Sequence, residues 1–172
     1  MPIRPIVKYG HPVLHSSAAP VKDIDGEIVS LVDDMVATMY AAPGIGLAAP
    51  QVGVPLRVIV IDLSVGEHQG QLIKLVNPEF LEKEGEQRHD EGCLSVPGYY
   101  GSPARPARVA IKGLDLDGKE RVYAATDLLA RAFCHEMDHI DGLVFVDRLS
   151  PLKRDLLKRK LRKRVRKNDW DE

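Results

Sequence analysis

The residues best suited to chemistry are His135-Glu136-Met137-Asp138-His139, an H-E-x-x-H pentad. On an α-helix, positions four apart stack on one face, so the two imidazoles can aim at one point that suits a divalent metal. Glu136 follows His135 by about 100° of rotation at roughly 3.6 residues per turn, which sets its carboxylate beside that point. In this pattern the carboxylate is the general base for a metal-activated water. The same letters also describe a charged helix turn with two solvated histidines. The neighbouring chain decides between the two.

A catalytic metal centre normally has three protein ligands and an open position. The extended pattern H-E-x-x-H-x-x-G-x-x-H finds its glycine at Gly142 but Phe145 where the third histidine belongs. A downstream glutamate ligand would have to be Glu172, which is expected to fray. The third ligand is therefore expected upstream. Cys93, in a short glycine-flanked turn, is the strongest candidate, because a metal readily deprotonates a thiol. A free cysteine is otherwise most often a small buried hydrophobe. His11, His15, His68 and His89 are rivals in polar segments that read as solvated loops.

These residues need elements to hold them. Leu128, Ala132, His135 and His139 share one helical face and Leu129, Phe133, Glu136 and Ile140 the next, so a buried, central helix is expected from Thr126 or Asp127 to Gly142. A second helix begins near Asp25 or Gly26, with Ile28, Leu31, Val32, Met35, Val36, Met39 and Tyr40 as its core stripe. Leu56 to Asp62 is β-branched and reads as a buried strand, and Gln71–Val76 and Glu79–Glu84 as two more, separated by Asn77-Pro78. Arg108–Leu114 and Glu120–Ala125 form a hairpin about Asp115-Leu116-Asp117-Gly118. The Pro-punctuated opening segment is expected to lack regular structure, Tyr99–Ala107 to be a loop, and Leu143–Val146 to be extended. Ser150-Pro151 starts a terminal helix with a narrow stripe of Leu152, Leu156, Leu157, Leu161 and Val165.

Gly44, Gly46 and Ala49 also fit G-x-G-x-x-A, but a dinucleotide fingerprint needs a strand before it and a helix after it. Here a helix precedes, and Pro50, Pro55 and a strand follow, so no nucleotide cofactor is expected. Small residues in this loop suit a close backbone approach to a site, and Gln51 is its one side chain with polar reach.

The 172 residues suffice for one domain with a real core. With no export signal or long apolar run, the chain is expected to be cytoplasmic, away from membranes, with Cys93 and Cys134 as free thiols. The formal charge of −1 hides a division: residues 150–168 carry ten Lys/Arg against Asp155 alone, while the remainder holds fourteen basic and twenty-four acidic residues. An acidic body bears a basic helix suited to a polyanion.

Three stretches together resemble the signature motifs of the bacterial peptide deformylases: Gly44-Ile45-Gly46-Leu47-Ala48-Ala49-Pro50-Gln51, Glu91-Gly92-Cys93-Leu94-Ser95 and His135-Glu136-Met137-Asp138-His139. They stand in family order and spacing, and the likeness runs over nearly the whole chain. It implies an α+β fold with antiparallel β-sheets around a central metal-binding helix, residues 1–149 as the catalytic unit and 150–172 as a basic helix and tail of the same domain. It also implies metal ligands at Cys93, His135 and His139, with Glu136 as acid and base. Gln51 and the backbone N–H of Leu94 would serve the oxyanion. Gly46 and Arg105 would meet substrate, and Ile45, Val96, Leu128 and Ala132 the methionine side chain. Fe(II) is the implied native ion, with Zn, Ni or Co as substitutes. Formylated nascent peptides would be the substrate, and the basic helix could contact the ribosome, so that loss of residues 150–172 would abolish that contact and spare small-peptide turnover. Cys134 departs from the many members with Gln there, but helical geometry points it away from the metal. Two rival readings are a non-catalytic metal-stabilised binding module acting through the basic helix, and a metallopeptidase using the same acid and base.

Overall fold

Strand β2 (Val58–Ile61) is buried at all four residues because helices cover both faces of its sheet. Ile59 and Ile61 face helix α2 (Asp127–Ile140), while Val58 and Val60 face helix α1 (Gly26–Ala41), as the two-residue alternation of a strand requires. The computed structural model describes residues 2–170. Met1, Asp171 and Glu172, including the downstream glutamate weighed above, lie outside the described residues.

The main sheet is antiparallel throughout, in the order β1 (Gly46–Ala48), β2, β3 (Ile73–Glu84), β8 (Arg108–Leu114) and β9 (Glu120–Thr126). Two small antiparallel pairs join it: β4 (Gln87–Arg88) with β7 (Ala104–Arg105), and β5 (Glu91–Cys93) with β6 (Val96–Gly101). The class is α+β, with three α-helices and antiparallel sheets.

Several local expectations change. The two strands expected either side of Asn77-Pro78 are one strand with a bulge: register shifts between Val76 and Glu79, and Asn77 adopts φ 51°. The bulge accommodates a proline that can donate nothing to the ladder, and the Asn77 side chain binds the N–H and carbonyl of Val21. Tyr99–Ala107 carries strand at both ends rather than being all loop. Phe145–Arg148 is a 3-10 turn, not an extended run, because Asp147 Oδ2 accepts from the Val144 N–H at 2.9 Å and curls the chain. The opening segment also holds one 3-10 turn, Pro12–His15.

Helix α1 is capped by Asp25, whose Oδ1 accepts from the N–H groups of Glu27 and Ile28. Helix α2 stops before Gly142, at φ 82°, where a Cβ would lie within 3.0 Å of the Ser16 backbone. Helix α3 (Pro151–Lys167) buries less than its stripe suggested. Leu161 is buried and Leu157 half-buried against Phe145 and Leu149, but Leu152 is 72 % exposed. Among the described residues no helix is long and apolar enough to cross a membrane.

Candidate metal centre

Helix α2 brings His135 and His139 one above the other, and the end of β5 brings Cys93 to meet them. Their donor atoms, Cys93 Sγ and one ring nitrogen of each histidine, all lie within 4.8 Å of one another. Cys93 Sγ stands 3.3 Å from His139 Nε2, which is 3.2 Å from His135 Nε2. His11, His15, His68 and His89 do not join this cluster. A thiolate with two imidazoles is a donor set that suits first-row divalent metals.

The surroundings prepare these atoms. Glu91 Oε1 lies 3.0 Å from His135 Nδ1, which leaves Nε2 for the cluster. His139 is wholly buried, and burial holds its imidazole well below the usual histidine range, in the neutral form that binds metals. Burial alone would raise the Glu91 carboxyl, but hydrogen bonds from Arg105 and His135 outweigh it and depress it to about 2.

Glu136 is buried beside the cluster, and burial pushes its carboxyl up to about 7. Its Oε1 has no hydrogen-bond partner among the described residues, and neither does His139 Nδ1. Gly46 makes room for it: a Cβ there would stand 2.5 Å from Glu136 Oε2. Gln51, 1 % exposed, sits in the 3-10 turn Ala49–Val52 after β1. Its Oε1 accepts from the Ala48 N–H at 3.0 Å, so Nε2 is turned toward Ser95 Oγ at 3.2 Å and Cys93 Sγ at 3.7 Å. Leu94 follows Cys93 in the turn before β6.

A cleft of about 520 Å³ opens onto this cluster. Gly46, Gln51, Cys93, Leu94, His135 and Glu136 line it, and so do the apolar candidates Ile45, Val96, Leu128 and Ala132. Cys134 packs in the core on the other side of α2, where burial raises its thiol to about 11.

Arg105 requires a correction. It is 3 % exposed and does not line the cleft. Its Nε and Nη2 donate to the two oxygens of Glu91, both at 2.9 Å, and Nη1 donates to Asp138 Oδ2 at 2.6 Å. Asp138 Oδ1 accepts in turn from Arg148 at 2.9 Å. The Arg105 guanidinium is committed to these two carboxylates and does not face the cleft. Glu91 and Asp138 were missed as its partners, and Arg148 as a partner of Asp138. Glu91 and Asp138 lie inside the quoted motifs, where acidic residues flank the ligands, but only the fold brings Arg105 to them.

The chain matches a family model described as polypeptide deformylase over residues 3–155. The chain belongs to the polypeptide deformylase family. The peptide deformylase of Acidobacterium capsulatum is 48 % identical over 170 residues, covering 99 % of this chain and 100 % of the relative. A crystal structure of a peptide deformylase from Legionella pneumophila aligns with a TM-score of 0.88 at 44 % identity, over 99 % of each chain. Another, from Synechococcus elongatus in complex with actinonin, aligns with a TM-score of 0.86 at 40 % identity, over 93 % of this chain and 89 % of that one. This chain is accordingly an enzyme, a peptide deformylase, and not a binding module built on a structural metal. Deformylases are metalloenzymes, and the Cys/His cluster is a possible site for the metal.

Proposed function

We propose that this deformylase removes the formyl group from the N-terminal formyl-methionine of newly made polypeptides, with chemistry carried by Glu136 beside Cys93, His135 and His139. The observation that supports this reading best is the convergence of one thiol and two imidazoles, with a buried carboxylate and a buried amide, in a single cleft. Sγ of Cys93 and the Nε2 atoms of His135 and His139 would hold a divalent cation. Such a cation, when bound, acidifies water and polarises a carbonyl.

The protein groups do the rest. Glu136, unpaired and poised near neutrality, accepts the proton of the attacking water and returns one to the departing amine. Gln51 Nε2 and the Leu94 N–H donate to the oxygen that gains charge, where one donor contributes about 3 kcal/mol. Gly46 lets the substrate backbone approach, and Ile45, Val96, Leu128 and Ala132 receive the methionine side chain. Residues 1–149 form the catalytic unit, and 150–172 belong to the same domain. The protein works in the cytoplasm, where nascent chains are made, and its basic helix contacts the ribosome.

Formate release from formyl-Met-Ala-Ser by Fe(II)-loaded protein tests the function. Glu136→Ala should keep the metal and lose about a thousandfold or more in turnover; near-normal turnover would sink the base assignment. The acetylated peptide should remain intact, and internal cleavage would identify a metallopeptidase instead. Fe(II) is the native ion, with Zn, Ni and Co as substitutes, since the donor set alone admits all four. Elemental analysis after anaerobic purification checks this: iron is expected in wild type and no metal in Cys93→Ala. Zinc alone in the first sample, or a metallated, active variant in the second, contradicts the assignment.

A further inference from the structure

Arg131 is the only lysine or arginine among the described residues lining the cleft, and none of the steps above uses it. It stands on α2 one turn before His135, on the face that also carries Leu128 and Ala132. Its Nη1 donates to Gln87 Oε1 at 2.8 Å. Gln87 is itself pinned, with Nε2 donating to the carbonyls of Pro106 and Asp127, each at 3.0 Å. The side chain is therefore fixed in place by a neutral amide. Among the described residues no carboxylate pairs with it: of those lining the cleft, Glu91 is engaged by Arg105 and His135, Asp90 by the Ser102 hydroxyl, and Glu136 is buried against Gly46. A guanidinium has five N–H donors in a rigid fork that matches a carboxylate. Held half-buried on an apolar wall with donors to spare, it is preorganised for an anion.

The register of a bound peptide says which carboxylate it meets. On the function proposed above, from which this inference proceeds, the scissile amide lies at the Cys93–His135–His139 cluster and the methionine side chain among Val96, Ala132 and Leu128. Leu128 is 40 % exposed, so the cleft opens in the direction from His135 toward the start of α2. An extended peptide rises about 3.3 Å per residue and alternates its side chains. The third residue thus falls about 7 Å beyond the methionine, on the methionine's side, and the Arg131 guanidinium reaches that way, because its partner Gln87 is tied to the Asp127 carbonyl at the start of α2, before Leu128. The second residue faces the other way. We propose that Arg131 makes this enzyme select substrates with aspartate or glutamate at the third residue. Outside residues 150–168 the protein holds twenty-four acidic against fourteen basic residues, so its general field repels acidic peptides. A preference for acid confined to one position is the signature of a local cation.

The test compares kcat/KM for amidated peptides formyl-Met-Ala-X-Ala and formyl-Met-X-Ala-Ala, with X as Glu, Gln or Lys. The amide cap removes the terminal carboxylate as a competing anion. Wild type should favour Glu over Lys by about tenfold at the third residue, with the ratio shrinking in about 0.5 M KCl and lying near one at the second residue. Arg131→Gln should flatten the ratio, Arg131→Lys should keep part of it, and Arg131→Glu should invert it. Each ratio is taken within one preparation, so partial loss of metal or folding cancels. A flat ratio in wild type, a ratio that survives in Arg131→Gln, or a preference at the second residue overturns the role of Arg131 while deformylation stands. If metallated wild type hydrolyses none of the peptides, the proposed function fails and this inference with it.

Discussion

Glu136 shows how a single side chain can be both strained for stability and suited to function. Its carboxyl is buried with an unpartnered oxygen, a costly arrangement in a folded protein, yet the same burial brings its pKa up to about 7, where a group can both take and give a proton. Gly46 is the counterpart that leaves it room. A Gly46→Ala change adds no backbone strain, because the residue is in a β-strand with no positive φ, but the new Cβ would lie 2.5 Å from Glu136 Oε2. The carboxylate must swing aside, and a displacement of about 1 Å can cost on the order of a hundredfold in rate. Gly46→Ala should therefore lose about that much kcat/KM with its metal content unchanged and its urea midpoint close to wild type. A variant as active as wild type would show that Glu136 needs no fixed position. At this scale the placing of His135, Glu136 and His139 side by side was legible, because there chemistry and helical period coincide. It was less so at Cys93, reached by eliminating other ligands, and it misled at Arg105. A sequence displays the charge of an arginine but not the two carboxylates that fold around it, Glu91 from β5 and Asp138 from α2.

Among the elements, period again marks what could be foreseen. The stripe of α1 and the β-branched run of β2 were legible because each is buried by its own repeat. The curl at Phe145–Arg148 and the bulge at Asn77 were not, since each depends on one side chain bonding to a backbone group. The loop after β2 is held in the same manner. Asp62 accepts from the Tyr40 hydroxyl at 2.5 Å, from the Ser64 N–H and hydroxyl at 2.9 and 2.7 Å, and from the Gly66 N–H at 3.0 Å, tying α1 to the loop. Burial, with the hydrogen bond to Asp62, pushes the Tyr40 phenol up to about 12 from 10.0. A group whose pKa rises on folding stabilises the fold below its unfolded value and loses that contribution as pH climbs through the folded one. Tyr40→Phe should therefore cost roughly 2 kcal/mol at neutral pH, as for a hydrogen bond to a charged group. The gap to wild type should narrow as pH rises from 10 toward about 12. Paired urea titrations across that range provide the check. A gap that stays constant would mean that Tyr40 contributes by packing alone.

For the molecule as a whole, the dominant feature is the separation of charge between the acidic body and α3. Removing residues 150–172 is not a clean test of what that helix does. Leu161 belongs to the core cluster with Phe145 and Leu149, and Arg164 donates to the hydroxyl of Tyr99 at 2.9 Å, while Tyr99 itself lines the cleft. Truncation would uncover apolar surface and disturb the site together, so lost ribosome binding and lost turnover could not be told apart. Lys160, Arg162, Lys163 and Arg166 are exposed, and none of them makes the contacts of Leu161 or Arg164 just described. Changing all four to glutamine removes four positive charges and leaves Leu157, Leu161 and Arg164 in place. If α3 docks on a polyanion, each phosphate contact releases counterions, so affinity should fall steeply with added salt for wild type and with a shallower slope for the variant. Co-sedimentation with ribosomes should accordingly be strong for wild type near 50 mM salt, weaken by an order of magnitude or more near 200 mM, and be largely lost in the fourfold variant at both. Turnover of formyl-Met-Ala-Ser should be the same for the two proteins, because a peptide of three residues meets the cleft alone. Equal pelleting of both would show that the basic face is only a solvated surface, and equal pelleting with a fall in small-peptide turnover would show that its charges serve the cleft instead.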